Sequence, residues 1–403
     1  MAFAAQSPIK HVLDYLKEKL AQLLNSVLDP IWRWVLGLSW ALRALVLVLI
    51  VCVGLALEHR EFFVKSYREV SQIVQVLRAP EHKIPINAET LAGVKDVVSR
   101  ISKTLEPELK DPDRLVVNAF VTAQLIMGVG TSAGLDANVL QLRLRNARDS
   151  SCGCWRELSN QKEMPPNIYI SGWILAALAS LQAPATSSEV EFLTSEQNSG
   201  GWWSVFPVAE RPEYASTYGT AWATLGLQSQ IDRGLLSVRE REVASNAVQR
   251  ATAWLLTNRL EGARWKNYPL APSGRSMLSV SALALHVLHD TQPTATMRLD
   301  REWLDALPTD ALSSDAKEAE YNWITSKDGY HLDAFEHIPL PWLLIATVDA
   351  YPAGDLRERA RALEWLEVNL NQPTIRNADT QRDDWWRAEL LYALRHVLER
   401  IGP

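Results

Sequence analysis

Hydrophobic positions along the second four-fifths of the chain recur at helical spacing, and they do so in two distinct styles. Leu91, Val94, Val98, Ile101 and Leu105 form a single stripe with polar residues between them. Similar stripes predict amphipathic helices over 89–105, 136–147, 187–197, 238–258, 299–307 and 356–370. Each is followed, after an irregular stretch, by a segment that is apolar nearly all round: 114–129, 167–182, 215–230, 275–289, 339–351 and 385–400. A helix without a polar face must be buried, and a striped helix is suited to covering it. Six such pairs, spaced about 45 to 65 residues apart, are the signature of a tandem array. The expected fold is all-α, an (α/α)6 toroid of six helix pairs with the apolar members inside; an open solenoid is the competing arrangement. Long alternating β-branched runs are absent, which argues against a sheet.

The first 78 residues follow a different pattern. Ile9, Val12, Leu13, Leu16, Leu20, Leu23, Leu24 and Val27 share one helical face, with Lys10, Asp14, Lys17, Glu18 and Gln22 opposite, and Asp29-Pro30 ends the segment. Residues 1–30 therefore read as an amphipathic helix suited to lying on a membrane or packing on a partner helix. From Ala44 to Leu57 fourteen residues carry no charge. Extended back to Leu36 across Arg43, the run approaches the ~20 residues needed to span a bilayer. Trp32, Trp34 and Trp40 precede it as an interfacial belt would. Residues 31–78 are read as a transmembrane anchor and juxtamembrane helix, 79–88 as a linker and 89–403 as the toroid. The expected location is the membrane, single-pass. Lys and Arg flank the apolar run on both sides, so orientation stays open.

Composition sharpens this only in places. A formal charge of −6 gives no reason to expect nucleic acid as a partner. Tryptophan, at 16, outnumbers tyrosine at 10 and phenylalanine at 7, which suits thick helical cores and apolar ligand cavities alike. Cys152 and Cys154 form a C-x-C, either half of a zinc site or two small core residues. No further ligands follow at a familiar spacing, so neither a metal nor a cofactor is expected.

One segment carries a family resemblance. Gln197-Asn198-Ser199-Gly200-Gly201-Trp202-Trp203 is similar to the Q-x-x-x-G-x-W repeat of squalene–hopene cyclases, within the terpenoid-cyclase and protein-prenyltransferase superfamily. It falls between an outer helix carrying Phe192-Leu193 and an inner helix reading Thr217-Tyr218-Gly219-Thr220-Ala221-Trp222-Ala223. Gly153-Cys154-Trp155 and Gly262-Ala263-Arg264-Trp265 resemble degenerate copies, and Ala362-Leu363-Glu364-Trp365-Leu366 the outer-helix half of another. The resemblance implies an α/α toroid in which Gln197, Gly201 and Trp203 stitch repeats together. It reaches residues 89–403 and speaks to fold more than to function.

Chemistry is less clearly written. Alkene-protonating cyclases of that family use Asp-x-Asp-Asp; here Asp383 and Asp384 are adjacent, but position 381 is Gln and Arg382 lies between. Asp383 also suits a helix N-cap. The prenyltransferase zinc pattern is missing. His331, Asp333, Glu336 and His337 gather two imidazoles and two carboxylates within seven residues. In a helix, Asp333 and His337 would share a face and could serve metal or acid–base work. Pro339 and Pro341 equally suit a solvated loop. Trp173, Tyr218, Trp222, Trp342 and Trp386 are the candidate lining of an apolar cavity. A glycosidase-like pair of carboxylates across the ring is a further possibility. The expected function is a binding, scaffold or sensor subunit of a membrane-associated assembly, engaging membrane lipid, a protein partner or an apolar ligand. The alternative is a divergent cyclase or lipid-modifying enzyme drawing its substrate from the bilayer.

Overall fold

The computed structural model describes residues 83–110, 119–130, 136–156, 165–207, 211–270, 275–307, 318–326, 329–337, 339–380 and 384–402. The expected amphipathic helix, membrane span and Asp383 lie outside these residues. None of the described helices is long and apolar enough to cross a membrane.

The described part is mostly helical, with thirteen α-helices. Seven lie on the outer, amphipathic plan or close to it: α1 (Ala88–Lys110), α3 (Ala137–Asn146), α5 (Ser187–Ser195), α7 (Val238–Thr257), α9 (Pro293–Asp305), α11 (Leu356–Leu370) and the short α12 (Pro373–Arg376). Six are the apolar ones: α2 (Ala119–Val129), α4 (Ile168–Ser180), α6 (Thr217–Asp232), α8 (Leu278–Thr291), α10 (Leu340–Ala350) and α13 (Asp384–Arg400). Burial follows the two styles of sequence. Every residue of α10 is buried, whereas α1 buries Thr90, Val94, Val97, Ile101, Leu105 and Leu109 along one stripe. Among the apolar helices, α2 packs on α4, α4 on α6, α6 on α8, α8 on α10, α10 on α13, and α13 on α2.

Three tryptophans explain how an outer helix is fastened to its inner partner. The indole N–H of Trp155 donates to the Leu144 carbonyl at 2.7 Å, that of Trp203 to Leu193 at 2.7 Å, and that of Trp265 to Leu255 at 2.8 Å. Each acceptor lies in the last turn of an outer helix, where carbonyls lack an intrahelical partner. The backbone N–H of the same tryptophans donates to Ser171, Thr220 and Ser281, hydroxyls near the start of the next inner helix. Gln197 Nε2 then donates to Gly201 at 2.9 Å and to Ala247 of α7 at 2.8 Å, joining one repeat to the next. Gly201 has φ +91°, and a Cβ there would stand 2.5 Å from the Arg250 carbonyl oxygen. Gly153, at φ +70°, meets the Ser188 carbonyl oxygen in the same way.

The two ends of the described segment meet. Strand β1 (Ile84–Pro85) pairs in parallel with β6 (Ile401–Gly402), and Asn87 donates to Glu367 at 3.0 Å. In the interior between α2 and α13, Gln124 Nε2 donates to Glu389 at 2.7 Å.

Two further pairs of strands are present: β2 (Trp265–Lys266) with β3 (Ser276–Met277), and β4 (Glu318–Ser326) with β5 (Gly329–His337), both antiparallel. The second pair corrects the expectation that no such ladder exists and that His331–His337 is a helix or loop. At a strand rise of about 3.3 Å per residue, Asp333 and His337 stand about 13 Å apart along β5 instead of one helical turn apart. The hairpin has a structural use. Glu318 accepts from the backbone N–H of Leu278 at 2.7 Å and of Ser279 at 2.9 Å, and so caps α8, whose own N-cap residue makes no side-chain bond.

Replacing Gly201 by Ala is expected to cost about 2–4 kcal/mol, the sum of a left-handed backbone penalty and a clash with fixed backbone. Gly234, at φ +66° with its nearest neighbour 4.0 Å away, lacks the clash, and Gly234→Ala should cost only about 1 kcal/mol. Denaturant unfolding followed by circular dichroism measures both.

Candidate functional site

The expected lining residues come together in large part, as a cluster of rings. Trp173 and Trp222 stack with centroids 3.6 Å apart, and Trp342 meets both edge-on at 6.0 and 5.2 Å. Tyr218 lies 6.3 Å from Trp222. Small residues make this approach possible: a Cβ on Gly172 would stand 2.4 Å from the Trp222 carbonyl oxygen, and one on Gly226 2.4 Å from that of Gly172. Helices α4 and α6 therefore touch backbone to backbone, which sets their tryptophans face to face. Trp173 and Trp222 are 0% exposed and Trp342 5%. Trp386 is buried near the start of α13. The indole N–H groups of Trp173, Trp222 and Trp386 are buried without an acceptor.

Asp384 begins α13 and forms an ion pair with Arg387 one turn on. Asp379 is paired with Arg100 of α1. Cys152 and Cys154 are bonded to each other as a disulfide, with Cys154 wholly buried.

The strongest polar constellation lies where the sequence reading placed nothing. His286 of α8, Asp349 of α10 and His396 of α13 come from three helices, each from the C-terminal half. The Asp349 carboxylate faces both rings: His286 Nδ1 is 2.8 Å from one oxygen and His396 Nε2 2.7 Å from the other. The two imidazoles stand nearly perpendicular, with centroids 5.4 Å apart. Arg400 approaches the same carboxylate at 3.7 Å. Behind His286, Asp290 lies 3.9 Å from Nε2.

Charge in so dry a place has consequences. Burial pushes the Asp349 carboxyl up, but the hydrogen bonds from His286 and His396 outweigh it and hold it well below the usual range. For His286 burial pulls down, while Asp290 and Asp349 pull up, leaving it at about 9. Asp300 of α9 is buried and feels the Asp349 charge, and these two effects raise its pKa to about 8. One Asp300 oxygen, Oδ1, has no hydrogen-bond partner. The neighbouring Tyr392 and His289 are pushed toward their neutral forms chiefly by burial.

No signature motif marks this cluster. Its trace in sequence is a titratable residue in the C-terminal half of each of three separate helices. His331, Asp333, Glu336 and His337 lie on β5, a different element from the three helices.

No family model matches the chain, and no curated protein matches it. Among solved structures it is similar to a protein from Actinoplanes, with 16% identity and a TM-score of 0.42, covering 75% of this chain and 99% of that one.

Asp300 supplies a pH test. An acid whose pKa is higher in the folded than in the unfolded state binds more protons when folded, so stability falls as pH rises between the two values. The window here runs from about 4, the ordinary value, to about 8. Asp300→Asn removes a charge the folded state resists. The variant should melt at or above the wild-type temperature at pH 8, with a flatter dependence from pH 5 to 8, measured by thermal unfolding.

Proposed function

We propose that residues 89–403 form a closed (α/α)6 toroid, and that it serves as a binding, scaffold or sensor subunit of a membrane-associated assembly without terpene-cyclase activity. The return of the packing order from α13 to α2 supports closure, as does the β1–β6 pairing. The apolar run at 44–57 supports attachment to a membrane through a single N-terminal span.

The observation that carries the non-cyclase reading is the state of the centre. Where a cyclase needs an aromatic-lined space above a protonated acid, Trp173 and Trp222 stack on each other at full burial. The Asp384 carboxylate is engaged in an ion pair with Arg387 one turn on rather than facing an open space. Binding is then left to the outer surface, to the hairpin and to the N-terminal segment, with membrane lipid and a protein as partners.

A second reading keeps one specific support. Burial and the Asp349 charge raise the pKa of the Asp300 carboxyl to about 8, and the buried indole N–H groups of Trp173, Trp222 and Trp386 lack acceptors. Both features suit a divergent cyclase or lipid-modifying enzyme that takes an apolar substrate from the bilayer.

Full-length protein in mild detergent separates the two. Incubation with linear polyprenyl substrates should give no cyclised product by gas chromatography, and any lipid that native mass spectrometry finds on the protein should be recovered unchanged. A product whose formation is lost in Asp300→Asn would replace the scaffold reading with the enzymatic one.

A further inference from the structure

We propose that His286, Asp349 and His396 form a binding site for a divalent transition-metal ion of the zinc type, with Asp290 as the carboxylate behind His286. This does not depend on the scaffold reading, since a toroid of either function could hold the ion.

The donor set fits this chemistry. One atom from each residue lies within 4.8 Å of the other two. Bonds of about 2.0–2.2 Å from a tetrahedral zinc would set its donors about 3.3 Å apart, so the contacts at 2.7 and 2.8 Å, made to the two different oxygens of Asp349, have to open by about half an ångström while the wider donor separations, all within 4.8 Å, close toward the ion. Two imidazoles and one carboxylate suit zinc, iron, cobalt or nickel; magnesium and calcium call for shells made of oxygen. Three protein ligands leave the fourth position open to water or a further group. All three come from packed helices rather than loops, which fixes their relative positions.

A second observation points the same way. His286 is 2% exposed, and its Nε2 has no hydrogen-bond partner. If Nδ1 binds the ion, Nε2 carries the proton and needs an acceptor, and the Asp290 carboxylate 3.9 Å away is placed to become one. A ligating histidine backed by a carboxylate is the usual arrangement around such metals. There is also a route in. The His396 side chain is 14% exposed and that of Arg400 41%, so the cluster opens toward solvent on that side. Arg400 is the cation that accompanies Asp349 in the structure, and its long side chain can withdraw when a metal enters.

The competing account is a structural ion-pair cluster in which two imidazoles and Arg400 surround one carboxylate and bind nothing. The experiment uses the full-length chain in mild detergent, stripped with a chelator and titrated with Co(II), followed by its visible ligand-field absorption and by elemental analysis. We expect one Co(II) per chain, displaced by Zn(II), and a zinc-dependent rise in melting temperature. His396→Gln, at the partly exposed ligand, should keep the helical circular dichroism and bind at least 10-fold more weakly. Asp290→Asn should weaken binding about 10- to 100-fold. Asp349→Asn should abolish it; if that variant fails to fold, the His396 and Asp290 variants decide. Folded wild-type protein that takes up no stoichiometric Co(II) overturns the site. So does uptake that is unchanged in His396→Gln.

Discussion

Helices with little or no polar face impose the constraint from which the rest follows. A segment such as Leu340–Ala350, buried at every residue, has no orientation in which water is tolerable on any side. It must be surrounded by others of its kind and covered by striped helices, and the succession of inner and outer helices does this. The fastenings are then dictated by what burial leaves unsatisfied. Carbonyls at the last turn of α3, α5 and α7 lose water when the inner helix closes over them, and an indole N–H reaches each one. Tryptophan suits the position because it fills a seam and donates a hydrogen bond from one side chain.

The same constraint makes the exceptions informative. An interior that excludes water tolerates Ser171, Thr220 and Ser281 because their hydroxyls are bonded to backbone. It tolerates Asp349 only because two imidazoles and a guanidinium gather round it. Removing one partner from such a cluster leaves charge exposed to a medium that cannot solvate it. Asp300 is the complementary case: burial and the nearby Asp349 charge push its pKa up to about 8. A carboxylate and a carboxylic acid thus coexist in neighbouring helices, distinguished only by what faces them.

Much of the helical plan was legible in the residues. The expected segment 356–370 coincides with α11, and 238–258 differs from α7 by a single residue. The Q-x-x-x-G-x-W segment predicted a stitch between repeats, and Gln197, Gly201 and Trp203 make one. The β4–β5 hairpin carries a weak signal because its alternation, Tyr321, Trp323 and Thr325 on one strand, is short and Ile324 puts an apolar residue on the opposite face; Asp328-Gly329 was its clearest mark. The His286 cluster escaped for a different reason. His286 and Asp349 are 63 residues apart and Asp349 and His396 47, and no local spacing reports that three separate helices bring them together.

The central claim is that the inner helices close into a ring rather than stack as an open array. Hydrogen exchange of the full-length protein under mildly denaturing conditions tests it directly. A closed ring predicts that amides of α1, α2 and α13 share the protection of α6 and exchange in one cooperative step, because either end opens only when the ring does. An open array would fray from its ends, with α13 and α2 exchanging well before the middle helices. That second pattern would contradict the account.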